Sequence, residues 1–221
     1  MKTARADDSA KKDLIDLAAE YVRAKFENEY SGHDWFHTLR VWRLAARIAE
    51  AEGADSESVQ LAALLHDVDD RKLSPETYAN KDNARRLLTE NKVEKAKIDE
   101  ICRIIGEIAF SEGRVPATLE GKCVQDADRL DAIGAIGIAR AFAYGGNHNR
   151  LMHHPDIAPN PNMTKEEYSK SESTTLNHFY EKLFKLTDMM NTETAKAIAR
   201  ERDAYMRGFV DEFLNEWEGI K

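Results

Sequence analysis

Cysteine is scarce in this chain. Cys102 and Cys123 are the two cysteines in 221 residues, and they form neither a CxxC pair nor a disulfide framework. Set among apolar neighbours, both read as small core residues of a protein kept in a reducing cytoplasm. Long apolar runs are missing too: nothing approaches the ~20 residues that a membrane-spanning helix needs. The N-terminus MKTARADDSAKKDLIDLAAE passes from polar to amphipathic without the apolar centre of a secretion signal. There is no P-loop and no dinucleotide-binding GxGxxG. Positive charge is in deficit, with 32 Lys and Arg against 40 Asp and Glu and a net charge of -8. That balance argues against polymeric nucleic acid or a membrane surface as partner, because binding to phosphate arrays rests on clustered cations. A small anionic substrate would need cations gathered locally. The alternation of a half-buried strand is absent as well, whereas apolar residues recur at helical spacing almost throughout.

What remains is an all-α chain without internal repeats or linkers, expected to form one domain over residues 1–221. Leu14, Leu17, Val22 and Phe26 mark a first helix; Val41, Leu44, Ala45 and Ile48 mark a second, which Gly53 can end in a left-handed conformation. A third is expected from Asp55 through VQLAALLHDV. Further helices fit 80–91, 95–110 and 117–144, the last ended by Gly145-Gly146. NHNRLMHHPDIAPNPNMTKEE, with Pro155, Pro159 and Pro161, reads as a long loop. One helix then falls around TLNHFYEKLFKL and another over 192–217, with Ile198, Tyr205, Phe209, Phe213 and Trp217 along one stripe.

The dipeptide His-Asp occurs twice, at 33–34 inside HDWFH and at 66–67. HDWFH imitates the HExxH of zinc proteases, which requires both histidines on one running helix. Ser31-Gly32 places the helix start later, with Asp34 as its cap through the amides of residues 36 and 37. His33 then falls outside the helix and the protease geometry is lost. His37 shares a stripe with Val41, Leu44, Ala45 and Ile48, at offsets of 4, 7, 8 and 11, and points inward. A lone inward histidine is most simply a core residue with satisfied hydrogen bonds. His66 and Asp67, however, ride a helix apolar around most of its circumference, and an unpaired carboxylate there is costly. VQDADRLDAIGAIGIA poses the same problem with Asp126, Asp128 and Asp131. Salt bridges, for example to Arg129, are one solution. A divalent ion held by two imidazoles and two carboxylates accounts for the whole set at once.

His37 followed by Arg40-Val41, His66-Asp67 after an apolar helix, and the distant Ala127-Asp128-Arg129-Leu130 together resemble the H…HD…D signature of the HD superfamily of metal-dependent phosphohydrolases. HDVDDRK, DADRLDAIGAIGIARAFAYGG and LNHFYEKLFKL are similar to its small bacterial branch, which includes nucleotide pyrophosphohydrolases. The resemblance implies an HD-type helical bundle with His37, His66, Asp67 and Asp128 as metal ligands. Without thiolates, that set suits one divalent Mn, Fe, Co, Ni or Mg. Two-metal members carry further histidines between the HD pair and the last aspartate; this chain has none from 68 to 127. The same interval counts against a di-iron oxygenase.

Asp70, one turn beyond Asp67, can orient an attacking water as a general base or pair with Arg71. His33 is expected beside the metal in a catalytic role. Arg40, Arg71 and Lys72, with Lys81 further off, are the cations available to substrate phosphates. Asn147, His148, Arg150, Asn177 and His178 stand between pocket and surface roles, and His153 and His154 are unassigned. The expected activity is hydrolysis of a small phosphorylated metabolite, a nucleoside triphosphate yielding monophosphate and pyrophosphate. A 5′-nucleotidase and a non-catalytic nucleotide-binding module are the alternatives.

Overall fold

The computed structural model describes residues 13–29, 32–108, 114–164, 167 and 173–221, and every regular element among them is helical. In chain order these are α1 (Leu14–Lys25), α2 (Trp35–Glu52), α3 (Ser56–Leu65), α4 (Asp82–Glu90), α5 (Lys95–Glu107), α6 (Leu119–Asp131) and α7 (Gly134–Asn147). A composite α8 follows, built from a π-helical turn (Phe179–Leu183), an α turn (Phe184–Leu186) and a 3-10 turn (Thr187–Met189), and α9 (Glu193–Trp217) closes the fold. No described helix is long and apolar enough to cross a membrane. Cys102 and Cys123 are free, buried thiols, pushed up by burial to about 11 and about 12.

The centre is a three-helix contact in which α2 packs against both α3 and α6. Val41, Ala45, Ile48 and Ala49 of α2 meet the apolar stretch Leu61–Leu65 of α3 and Val124, Ala127 and Leu130 of α6, all fully buried. The last helix lies along α7 and α6, and closes the far side through Phe142, Phe179, Phe209 and Phe213, whose ring centroids lie 5.8–6.2 Å apart. Tyr205 and Trp217 drift off that stripe and are 61% and 45% exposed, because residues spaced by four advance about 40° per step around a helix of 3.6 residues per turn.

Several boundaries depart from the sequence reading, among them the end of α7, which runs through Gly145-Gly146 to Asn147 instead of stopping before them. α3 stops at Leu65, so the second His-Asp pair sits on the turn beyond it, where Val68 N–H bonds Leu65 O and Asp70 N–H bonds Asp67 O. The stretch expected to be one helix over 117–144 is two. Gly134, at φ +77°, breaks it, and a Cβ there would lie 2.9 Å from Arg202 Cγ. α4 begins after Lys81, itself at φ +59°. Its first amides are capped from afar by buried Asp69, which accepts from Asn83 N–H at 3.1 Å and Ala84 N–H at 3.0 Å.

Asp126 performs the same service for the last helix. It is fully buried and accepts from Asn191 N–H (2.9 Å), Asn191 Nδ2 (2.7 Å), Thr192 N–H (2.8 Å) and Thr192 Oγ1 (2.8 Å). Asp126→Ala strands four donors in the interior and is expected to lower the free energy of unfolding by about 3 kcal/mol. Urea denaturation measures it; a loss below about 1 kcal/mol would show that water replaces the carboxylate at little cost.

Candidate metal centre

Asp34 caps α2, its Oδ1 accepting from His37 N–H at 2.7 Å, the one side-chain cap bond at that end. The cap sets His37 in the first turn with its ring inward, while His33 stays outside the helix. The turn after α3 brings His66 and Asp67 under the same ring, and α6 supplies Asp128 from the other side. His66 Nε2 lies 3.3 Å from His37 Nε2 and 3.2 Å from Asp67 Oδ2. His37 Nε2 lies 3.5 Å from both Asp67 Oδ2 and Asp128 Oδ1. The structure thus brings together all four residues expected to hold a metal.

Hydrogen bonds on the far nitrogens orient both rings. His37 Nδ1–H donates to Asp131 Oδ2 at 2.8 Å, and His66 Nδ1–H donates to Ala63 O at 2.8 Å. Both Nε2 atoms therefore present lone pairs to the same point, where two carboxylate oxygens also converge. Four acceptors at such separations repel one another unless a cation lies between them. The spacings of 3.2–3.5 Å are short enough for these donors to share one small divalent ion. Without thiolates the donor set suits a borderline or hard metal rather than a structural zinc cage.

Electrostatics report the same need. Burial pushes the His66 imidazole down, but the adjoining charge and hydrogen bond of Asp67, with Asp128 behind, lift it to about 9. Burial raises Asp67, yet His66 and His33 hold it well below the usual carboxylate range. A proton on His66 takes the place that a metal would fill.

His33 Nδ1 lies 2.9 Å from Asp67 Oδ2, and that hydrogen bond raises the His33 pKa against the opposing effect of burial. His33 and His37 also make a donor group with Asp67, but their rings are 5.9 Å apart at 86°, with His33 off the helix, so HDWFH does not form a helical zinc-protease pair. Asp70 is half-buried, accepts from Lys72 N–H at 2.8 Å, and acts electrostatically on His33. It does not pair with Arg71, which is exposed like Lys72.

Other candidate and unassigned residues have partners of their own. Arg40, expected at substrate phosphates, gives Nε and Nη2 to Asp131 at 2.6 and 3.0 Å. Lys81 is buried with Nζ 3.8 Å from the centre of the Tyr78 ring. Asn177 is buried and donates to Ile157 O. His153 packs edge-on against Trp217, and His154 Nδ1 accepts from Asp156 N–H. Arg129, offered as a partner for the three acids, donates instead to Met189 O.

Two cations were missed. Arg140 Nη1 lies 2.6 Å from Asp131 Oδ2, and its Nη2 donates to Gly32 O. Its signal was there, since Arg140 is the lone charge in the run GAIGIARAFAYGG. Lys182, on the π turn of α8, has its pKa lowered chiefly by burial; Asp128 opposes that shift, and Arg140 and Lys72 add to it. Nothing in LNHFYEKLFKL distinguishes it from Lys185. Unpaired π turns are uncommon and recur at functional sites.

If His66 holds a proton that the metal displaces, loading chelated protein at pH 7.5 releases about one proton per ion. Titration calorimetry in two buffers of different ionisation enthalpy reads that number. Zero release would contradict the assignment of His66 as a ligand.

Comparison with known proteins places this geometry. The HD domain family model matches residues 35–133, which hold all four donors. The Bacillus subtilis protein YpgQ is 38% identical over 204 residues, covering 90% of this chain and 92% of that one. Its crystal structure in complex with ADP superposes with a TM-score of 0.74 at 34% identity, over 92% of this chain and 94% of that one. An HD-superfamily hydrolase from Bacillus thuringiensis superposes with a TM-score of 0.76 at 41% identity, over 92% and 96% of the two chains.

Proposed function

The chain belongs to the HD superfamily and has the fold of its hydrolases, and from that premise we propose that it is a single-domain, metal-dependent phosphohydrolase cleaving nucleoside triphosphates to monophosphate and pyrophosphate. The observation that carries this reading is that Lys182 stands within electrostatic reach of Asp128, Arg140 and Lys72, so that three cations neighbour the donor quartet. A polyphosphate of about four charges entering a protein of net charge -8 needs several donors beyond a metal ion. A monophosphate needs far fewer. That YpgQ binds ADP supports a nucleotide carrying a phosphoanhydride.

His37, His66, Asp67 and Asp128 would hold one divalent ion. The ion supplies Lewis-acid polarisation of a phosphoryl oxygen and makes water more acidic near neutral pH. The chain's own groups do the rest. Lys72 and Lys182 bind the β- and γ-phosphates, while Arg140, anchored on Asp131, closes the site toward Gly32. His33, which Asp67 favours in its protonated, doubly donating form, gives its other N–H to the phosphoryl oxygens. Asp70 orients the water and takes its proton as the oxygen bonds to the α-phosphorus. The bond from that phosphorus to the bridging oxygen breaks, and pyrophosphate leaves with its electron pair.

Phosphorus NMR of a nucleoside triphosphate with the manganese-loaded enzyme is expected to show monophosphate and pyrophosphate in equal amounts. Asp70→Asn should keep the metal and slow turnover by roughly 10²- to 10⁴-fold. If inorganic phosphate from a nucleoside monophosphate dominates, the chain is a 5′-nucleotidase. If Asp70→Asn is fully active, the water needs no base at that position.

A further inference from the structure

Beyond the donor quartet and its cations, an exposed aromatic stack stands one helical turn from Arg140. Tyr144 follows Arg140 by four residues on α7, on the same side of the helix and about 6 Å along it. Its ring is 51% exposed yet lies flat on the imidazole of His148, with centroids 3.8 Å apart and an angle of 18°. His148 is itself exposed. Helix capping explains part of this, since His148 Nδ1 bonds Tyr144 O at 2.9 Å. Capping does not require the rings to stack, and it leaves a broad aromatic face toward solvent. The Arg150 guanidinium lies 5.6 Å from the centre of the Tyr144 ring.

This corner is built onto the segment that leads into α8. Arg150 N–H bonds Gly145 O and Thr175 N–H bonds Leu151 O, each at 2.9 Å. Gly145 is required, because a Cβ there would meet Thr175 Oγ1 at 2.1 Å. Three residues beyond Thr175 comes His178, and four beyond that Lys182. Burial, with Lys182 and Arg150 nearby, pushes the His178 imidazole down to about 4. Two pairs thus stand one turn apart, Arg140 with Tyr144 on α7 and His178 with Lys182 at the start of α8, and Arg150 is near the outer member of each.

We propose that Tyr144 and His148 form the platform on which the base of the nucleotide stacks while its phosphates lie at the His37–Asp128 cluster. The proposal rests on the nucleotide reading above and deepens it by locating base recognition. Stacking uses the π face that every base has, so the platform itself does not select among bases; the exposed amides of Asn147 and Asn149 flank it. Stacking on it tolerates all bases, with purines favoured for their larger face.

Calorimetric titration of the full-length, manganese-loaded protein with ADP and with inorganic pyrophosphate separates base from phosphate binding. Tyr144→Ala and His148→Ala are each expected to weaken ADP by about tenfold while pyrophosphate changes by less than about twofold. Tyr144→Phe and His148→Phe keep a stacking ring and should retain ADP affinity, which guards against a merely distorted helix end. Equal losses for ADP and pyrophosphate in the alanine variants would overturn the platform. So would unchanged ADP affinity in both alanine variants with the ADP-specific loss found instead in Phe36→Ala, since Phe36, next to His37 in the chain, is an exposed ring too. Failure of the wild-type protein to bind ADP at all would overturn the nucleotide reading itself.

Discussion

One carboxylate organises the centre of this protein. Asp131, almost fully buried at the end of α6, accepts from the His37 imidazole, from both Nε and Nη2 of Arg40, and from Arg140 Nη1. Burial alone would raise its pKa; the imidazole and the two guanidinium groups instead hold it far below the usual carboxylate range. The two oxygens of this side chain therefore tie α2, α6 and α7 together. They also decide the chemistry of His37, because the proton fixed on Nδ1 leaves Nε2 as a lone pair aimed at His66, Asp67 and Asp128. Partners of this kind raise ligand basicity and fix ring orientation at metal sites.

The three aspartates of α6 show how one short helix divides its charges. Asp126 faces the start of the last helix and is saturated by Asn191 and Thr192. Asp131 faces two arginines and a histidine. Asp128 is left with its Oδ1 3.5 Å from His37 Nε2 and no hydrogen bond of its own among the described residues. The first two carry the structural cost of buried charge with full sets of donors, as buried carboxylates must. The third, partly exposed, has no such set of donors and faces the His37 and His66 rings.

Much of this was legible in the residues. The inward stripe of His37, the apolar helix before His66-Asp67 and the acids of VQDADRLD are local patterns, and they converge in space as their faces require. The ends of elements were harder, because a chain trace depends on distant partners. α3 stops before His66 rather than running through it, and at the left-handed Gly134 the chain packs against Arg202, far away in sequence, where a side chain would not fit. Arg40 and Arg140 illustrate the same limit. Both are held by one carboxylate, Asp131, which lies 91 residues from the former and 9 from the latter, and no local pattern announces either pairing. Lys182 was illegible, since its role comes from a π turn that periodicity reads as ordinary helix.

The account stands on a metal at the point where the four donors meet. Crystals soaked in manganese, measured for anomalous scattering at the manganese edge, test it most directly. One strong peak is expected within about 2.0–2.3 Å of His37 Nε2, His66 Nε2 and oxygens of Asp67 and Asp128. A peak bound instead by His33 and His37, or none at the quartet in a protein that still hydrolyses nucleotides, would contradict it.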